Sequence, residues 1–186
     1  MIHNKMVSKK IIVYIDGSNM YFSVKNTFNC KIDFLKFCKK LAGKNELVKI
    51  KYYIAPVGES DSKIYAEQQK FFEKLKQIDK LELVFGRLEK HKKDGNSFYV
   101  EKATDVNLTL DILLDAFDNE YDEAYLVSND GDFSGVVSAV IERFKKKIVY
   151  VAIGNRKSIS YHLKKVSSRT LNINEDFIRE VLVNLK

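Results

Sequence analysis

Three carboxylates stand where wound α/β proteins do their chemistry, just past a strand or in the first turn of the helix that follows one. Asp16 closes the β-branched run at residues 10–15. Asp130 follows the run at 123–128, with Asp132 close behind, and Asp105 opens the helix pattern that starts near Thr104. Carboxylates crowded at one sheet edge repel and raise each other's pKa. Such a cluster calls for a cation, and its hard oxygen donors suit Mg²⁺ or Mn²⁺. Each acid also has a plainer use. Asp16 can simply end a strand in a turn, Asp105 can be an acid favoured by a helix N-terminus, and Asp132 can cap the helix starting at Phe133. In Asp16-Gly17-Ser18-Asn19, Asn19 is equally a helix N-cap candidate. Asp130 has the weakest structural alternative, lying between strand and cap.

The elements that must position these groups alternate. Strands are read at residues 10–15, 48–55, 81–88, 123–128 and 148–153, the first as a run buried on both faces. Helical periodicity follows Asp16 and recurs at 32–41, 62–78, 104–118, 133–144, 159–165 and 174–186. Residues 89–96 read as a charged turn around Asp94-Gly95-Asn96. Alternation of this kind predicts a mostly parallel sheet with helices on both faces, and a site at the carboxyl ends of strands near a switch in strand order. In the helix at 104–118, Val106, Leu110, Leu113, Leu114 and Phe117 share one apolar arc. Leu108, Ile112 and Ala116 extend the apolar surface round the other side. Asn107, Asp111, Asp115 and Asp118 share a narrow polar arc, expected to be solvated surface, and Asp105 falls outside it.

The chain has 186 residues, 45% hydrophobic and 31% charged, an ordinary soluble composition. At this length about 70% of the open chain's surface is buried on folding, so one domain with a real core is expected. A single proline and eight glycines argue against a long flexible linker. No apolar run approaches the ~18 residues a membrane span needs. The first ten residues are polar and basic, so no signal peptide is read and a cytoplasmic location is expected. Cys30 and Cys38, placed together in one predicted helix, read as free thiols rather than a disulfide or zinc framework. His3, His91 and His162 are too dispersed to form a ligand pair. The net charge of +7 and pI near 9.2 reach the range typical of nucleic-acid binding. Lysine runs lie at 89–93, 143–147, 156–157 and 164–169, any of which could be a solvated face.

Phosphate loops of the G-x-x-x-x-G-K-[ST] and G-x-G-x-x-G types are absent. A phospho-aspartyl enzyme would carry a second acid where Ser18 stands, and the run from Asp130 lacks the twelfth-position acid of an EF-hand, having Ile141 there. Three segments taken in order do form a pattern: Ile11-Ile-Val-Tyr-Ile-Asp-Gly-Ser-Asn19, Glu101-Lys-Ala-Thr-Asp-Val106 leading into 108–111, and Leu126-Val-Ser-Asn-Asp-Gly-Asp-Phe133. Together they resemble the NYN domain, LabA-like branch, of the PIN-like nuclease superfamily. The likeness spans about 10–153 and continues through 158–177.

The resemblance implies a PIN-like three-layer α/β/α sandwich formed by residues 1–186 as one domain, with the motif-bearing core at 10–153 and a helical segment at 158–186. It implies metal-dependent cleavage of RNA, read as single-stranded. It carries the family's metal-binding acids onto Asp16, Asp105 and Asp130, with Asp132 supporting, and marks Asn19, Lys102 and Ser128 as site positions. Asp111 would at most support them. Arg156 and Lys157 join Lys102 as candidates for the RNA backbone. Phe98 and Tyr99 are candidates to stack a base, with a strand or core role as the alternative. The sequence departs from the family pattern at Ala103-Thr104, where a glycine is common, and at Ser134-Gly135, where a proline is common; neither removes a carboxylate. Two other readings stay open: a non-catalytic RNA- or protein-binding module of the same fold, and a small-molecule phosphatase or nucleotide binder. No membrane association is expected, and a homo-oligomer is compatible with the sequence.

Overall fold

The computed structural model describes residues 8–58, 62–93 and 96–183. Strand β1 (Lys10–Asp16) leads into α1 (Gly17–Phe28) and α2 (Phe34–Ala42), followed by β2 (Glu46–Ile54), α3 (Ser62–Lys76) and β3 (Leu81–Phe85). Strands β4 (Arg87–Lys93) and β5 (Asn96–Lys102) pair with each other, antiparallel, as a separate ribbon. The chain then continues through α4 (Thr104–Phe117), β6 (Glu123–Val127), a 3₁₀ turn (Gly131–Phe133) and α5 (Ser134–Phe144). It closes with β7 (Lys147–Ile153), α6 (Tyr161–Val166), β8 (Arg169–Ile173) and α7 (Glu175–Glu180).

The six-stranded sheet has the order β3-β2-β1-β6-β7-β8, and every neighbouring pair runs parallel. Successive side chains of a strand point to opposite faces, and β1 shows it plainly. Ile11, Val13 and Ile15 join one core with Met20, Phe37 and Leu75. Ile12 and Tyr14 join the other with Leu108, Ile112, Val137 and Leu163. The result is the expected three-layer α/β/α sandwich. Strand order reverses between β1 and β6, so the chain leaves their carboxyl ends toward opposite faces of the sheet and a crevice opens there.

Several sequence expectations are corrected. The charged turn at 89–96 is a strand and part of a ribbon: Lys90 pairs with Tyr99 and Leu88 with Glu101, while its tip lies outside the described residues. Strand β8 was not expected; its five residues read exposed-intermediate-intermediate-exposed-buried, too weak a pattern to separate from the helices around it. Cys30 precedes α2 and only Cys38 lies within it. Asp111 and Asp115 do not face solvent: α4 turns this arc toward the sheet.

Candidate functional site

Each acid reaches the crevice by a local rule. Asp16 is the last residue of β1 and caps α1: its backbone is extended and its Oδ1 accepts the N–H of Asn19 at 3.0 Å. The cap is therefore Asp16 and not Asn19, which lies inside the first turn of α1. Gly17 is required next, because a Cβ there would lie 2.6 Å from both the Tyr52 ring and the Tyr53 carbonyl of β2. Asp130 caps the 3₁₀ turn, its Oδ1 accepting the N–H of Asp132 at 2.9 Å. Capping here belongs to Asp130; Asp132 caps nothing, and α5 starts without a side-chain cap. Asp105 sits in the first turn of α4, entered through Ala103 in the left-handed region at φ 69° with no side-chain cap.

Asp16, Asp105 and Asp130 line one cleft of about 430 Å³ with Ser18, Asn19, Phe22, Glu101, Lys102, Thr104 and Val106. Asp16 is 7% exposed. Burial pushes its carboxyl up to about 6, against the hydrogen bonds from Asn19 and Ser128, with the charges of Asp105 and Glu101 adding to the rise. Asp105 is raised too, by its own partial burial and by Asp130, Glu101 and Asp132. Among the described residues no ion pair neutralises Asp16, Glu101, Asp105, Asp130 or Asp132. Among the described residues Lys102 is the one cation in the lining.

Glu101 escapes a reading confined to strand ends of the main sheet, because it stands on β5 of the ribbon. It accepts the Ser18 hydroxyl at 3.1 Å and the Ala55 N–H at 3.2 Å, tying the ribbon to the ends of β1 and β2. The available signal was its place in the same short motif as Asp105. Phe22, 56% exposed, also lines the cleft without having been expected there, one turn beyond Asn19 on α1, as do Ser18, Ala103, Thr104 and Val106.

The remaining candidates divide by position. Ser128 is 2% exposed; it donates to Asp16 Oδ2 at 2.8 Å and accepts the Asp130 N–H at 3.0 Å. It holds the two acids together rather than facing open space. Asn19 accepts the Asn129 N–H at 2.9 Å and so ties α1 to the loop after β6. Asp132 is exposed and outside the lining. Arg156 and Lys157 are exposed on the loop after β7, at the same sheet edge but not lining the cleft. The Phe98 side chain lies outside those described, and Tyr99 is exposed on the ribbon.

Among the described residues no three His, Cys, Asp or Glu side chains converge closely enough to grip one ion together. The donor chemistry nonetheless fits a hard divalent ion: every acid offers oxygen, and Mg²⁺ keeps several waters while taking one or two carboxylates directly. The arrangement can hold a hydrated cation and, through it and Lys102, a phosphate.

Comparison with known proteins agrees with this topology. A protein of unknown function from Vibrio parahaemolyticus, of known crystal structure, superposes with a TM-score of 0.71 at 24% identity, over 95% of this chain and 97% of that one. At that identity the likeness speaks for the fold. Among curated proteins, none matches. No helix among the described residues is long and apolar enough to cross a membrane. The NYN domain model matches residues 10–174, taking in β1, the ribbon, α4 and the loop after β6 that together build the cleft, and the chain therefore belongs to the NYN domain family, within the PIN-like nuclease superfamily.

Proposed function

We propose that this protein is a metal-dependent ribonuclease of the LabA-like kind, acting on single-stranded RNA with Mg²⁺ or Mn²⁺. The observation that carries it is a cleft at the sheet's switch point, fed by four carboxylates from three separate segments, none of which forms an ion pair with a described residue. Asp16, Asp105 and Asp130 would hold the ion, in part through water, with Glu101 and Asp132 adding negative charge around it. Bound there, a divalent ion polarises a phosphate oxygen and lowers the pKa of a coordinated water.

The chain's own residues do the rest. Ser128 fixes the separation of Asp16 and Asp130, and Asn19 fixes α1 against the loop that carries Asp130. Burial first, and then the charges of Asp130, Glu101 and Asp132, raise the Asp105 pKa in the metal-free chain, a repulsion that a bound cation would relieve. Lys102 pairs with the scissile phosphate, and Phe22 offers a ring at the cleft wall for a base to stack on. Arg156 and Lys157 steer the RNA backbone along the same edge.

The test is a cleavage assay on end-labelled single-stranded RNA with Mn²⁺, comparing the wild-type chain with Asp16→Asn and Asp130→Asn. Loss of cleavage in both variants supports the reading; full activity in both overturns it. Salt-dependent RNA retention without turnover at any metal would favour the binding-module reading instead.

A further inference from the structure

An acidic cleft repels a polyanion. Asp16, Glu101, Asp105 and Asp130 all line this one, and among the described residues only Lys102 offsets them there. Lysine and arginine contacts to phosphate supply much of a protein's affinity for a nucleic-acid strand. Such contacts must therefore lie beside the cleft rather than in it. Two elements flank it, and each sets lysines next to half-exposed rings.

The ribbon is one flank. Residues opposite each other in an antiparallel pair share a face, as do residues two apart on one strand. With Leu88 opposite Glu101 and Lys90 opposite Tyr99, the face of Glu101 also carries Lys90, Lys92 and Tyr99. That face turns to the cleft, because the Glu101 carboxylate reaches Ser18 on α1 and Ala55 just past β2. At about 3.3 Å per residue, the Lys90–Tyr99 rung stands roughly 7 Å further out and Lys92 roughly 13 Å. Tyr99 is 47% exposed, and both lysines are exposed. On the opposite face Arg87 and His91 both lie against Glu89, at 3.0 and 3.6 Å.

Helix α1 is the other flank. Phe22 lines the cleft, and Tyr21 stands edge-on to it with ring centroids 5.2 Å apart. Both are 56% exposed, and neither belongs to a core of the fold. The Lys25 ammonium lies 5.6 Å from the Tyr21 ring. Among the described residues no ion pair involves Lys25, Lys90 or Lys92. Exposed rings beside free cations form a platform on which unpaired bases stack while their phosphates are neutralised.

We infer that a single-stranded RNA crosses the cleft between these two platforms, Tyr21, Phe22 and Lys25 on α1 and Lys90, Lys92 and Tyr99 on the ribbon, and that they supply most of its affinity. That the strand is RNA rests on the ribonuclease reading. The platforms themselves fit an unpaired strand and need no metal. A duplex does not fit, because its bases are stacked on one another and present no face to the rings.

Fluorescence anisotropy of the full chain with a labelled single-stranded RNA of roughly 12 nucleotides, in EDTA, tests it. The wild type is expected to bind, with log K falling linearly against log salt. Lys90→Gln with Lys92→Gln is expected to reduce that slope by about 1.4, from about 0.7 per phosphate contact on a single strand. Lys145→Gln with Lys147→Gln removes the same charge from the opposite, amino-terminal edge of the sheet, where both residues are exposed, and is expected to leave the slope unchanged. Tyr99→Ala and Tyr21→Ala are each expected to weaken binding roughly tenfold, and Tyr99→Phe to keep it. Where Tyr99→Ala disturbs the ribbon, the exposed lysine pair decides. Equal losses from both lysine pairs, alanine variants that bind as the wild type does, a duplex bound as tightly as the strand, or a wild type that binds no RNA in EDTA would each overturn it. No arm depends on catalysis. A chain that binds in this way and never cleaves with Mn²⁺ overturns the ribonuclease reading alone, and one that cleaves while its ribbon variants bind at full strength overturns this inference alone.

Discussion

Helix α4 contributes to two clusters of carboxylates, and the contrast between them separates structure from chemistry. Toward its middle, Asp111 accepts the Tyr53 hydroxyl at 2.7 Å and Asp115 accepts the Tyr14 hydroxyl at 2.7 Å and the Lys51 ammonium at 2.8 Å. That cluster contains its own cation. Burial alone would lower the Lys51 pKa, but the Asp115 hydrogen bond and the charges of Asp115 and Asp111 outweigh it and the pKa is raised. At the N-terminus, Asp105 meets Asp16, Glu101 and Asp130 with no such partner, and Asp16 and Asp105 are both pushed up. One set of acids is satisfied by the fold. The other is satisfied only by something from outside it.

The largest expected effect tests that division directly. Asp16→Asn should reduce RNA cleavage about 10³-fold, the scale of removing one preorganised electrostatic group, whereas Asp111→Asn should leave the rate per folded molecule within a few-fold. Initial rates on one RNA substrate, normalised to folded protein, decide it. Equal losses at both positions would erase the distinction between the clusters.

Next is Lys51→Met. It strands two carboxylates against the sheet and is expected to cost about 3 kcal/mol of stability, read by urea denaturation, with cleavage by the folded fraction unchanged. Adding Asp115→Asn and Asp111→Asn should recover most of that loss, since the amide oxygens can still accept the Tyr14 and Tyr53 hydroxyls while the unpaired charges are gone.

Asp16 should behave oppositely, and the sign follows from its titration. Unfolded, it releases its proton near 3.8; folded, it holds the proton up to about 6. Between those values the folded chain binds more protons, so its contribution is most favourable in acid and is lost as pH rises through about 6. Above pH 6 the buried charge costs up to about 3 kcal/mol. Asp16→Asn is therefore expected to stabilise the metal-free protein at pH 7.5 and to give no gain at pH 4. Mn²⁺ should raise the thermal midpoint of the wild type and not of the variant, by an amount set by its concentration over its dissociation constant. An Asp16→Asn chain less stable than wild type at pH 7.5 would place Asp16 with the self-satisfied acids.

Much of this was legible in the residues because strand ends are legible. The β-branched run before Asp16 and the apolar run before Ser128 mark two strands, alternation with helices makes them parallel, and a parallel sheet delivers its loops to one edge. That logic reached Asp16, Asp105 and Asp130. It missed Glu101 because β5 belongs to a ribbon outside the sheet, and a charged ribbon looks like a turn when its partner strand is unknown. It also mistook the faces of α4. Periodicity supplies the angles between side chains but not the direction of the sheet, and only Lys51, a polar residue inside the buried run Ile50–Tyr53, hinted that acids could be wanted beneath that helix. The caps shifted by the same kind of ambiguity, since Asp16 and Asn19, or Asp130 and Asp132, are each competent to cap and only the path of the backbone chooses.

The smallest expected effect lies at the joint between the ribbon and α4. Ala103 joins the ribbon to α4 at φ 69° and ψ −15°, a left-handed conformation that costs a residue with a Cβ about 1 kcal/mol and glycine almost nothing. Ala103→Gly relieves that strain but frees the unfolded chain, which offsets part of the gain. A net stabilisation of about 0.5 kcal/mol is expected by urea denaturation. The same residue sits between Lys102 and the first turn of α4, so the strain is held at the one joint that sets Asp105 against Glu101. If that joint is needed only to place the two acids, Ala103→Gly raises stability and leaves cleavage unchanged. If its stiffness keeps the cleft acids apart while no cation is bound, the glycine variant gains stability and loses rate together, and the unsatisfied cluster then depends on backbone strain that the Lys51 cluster does without.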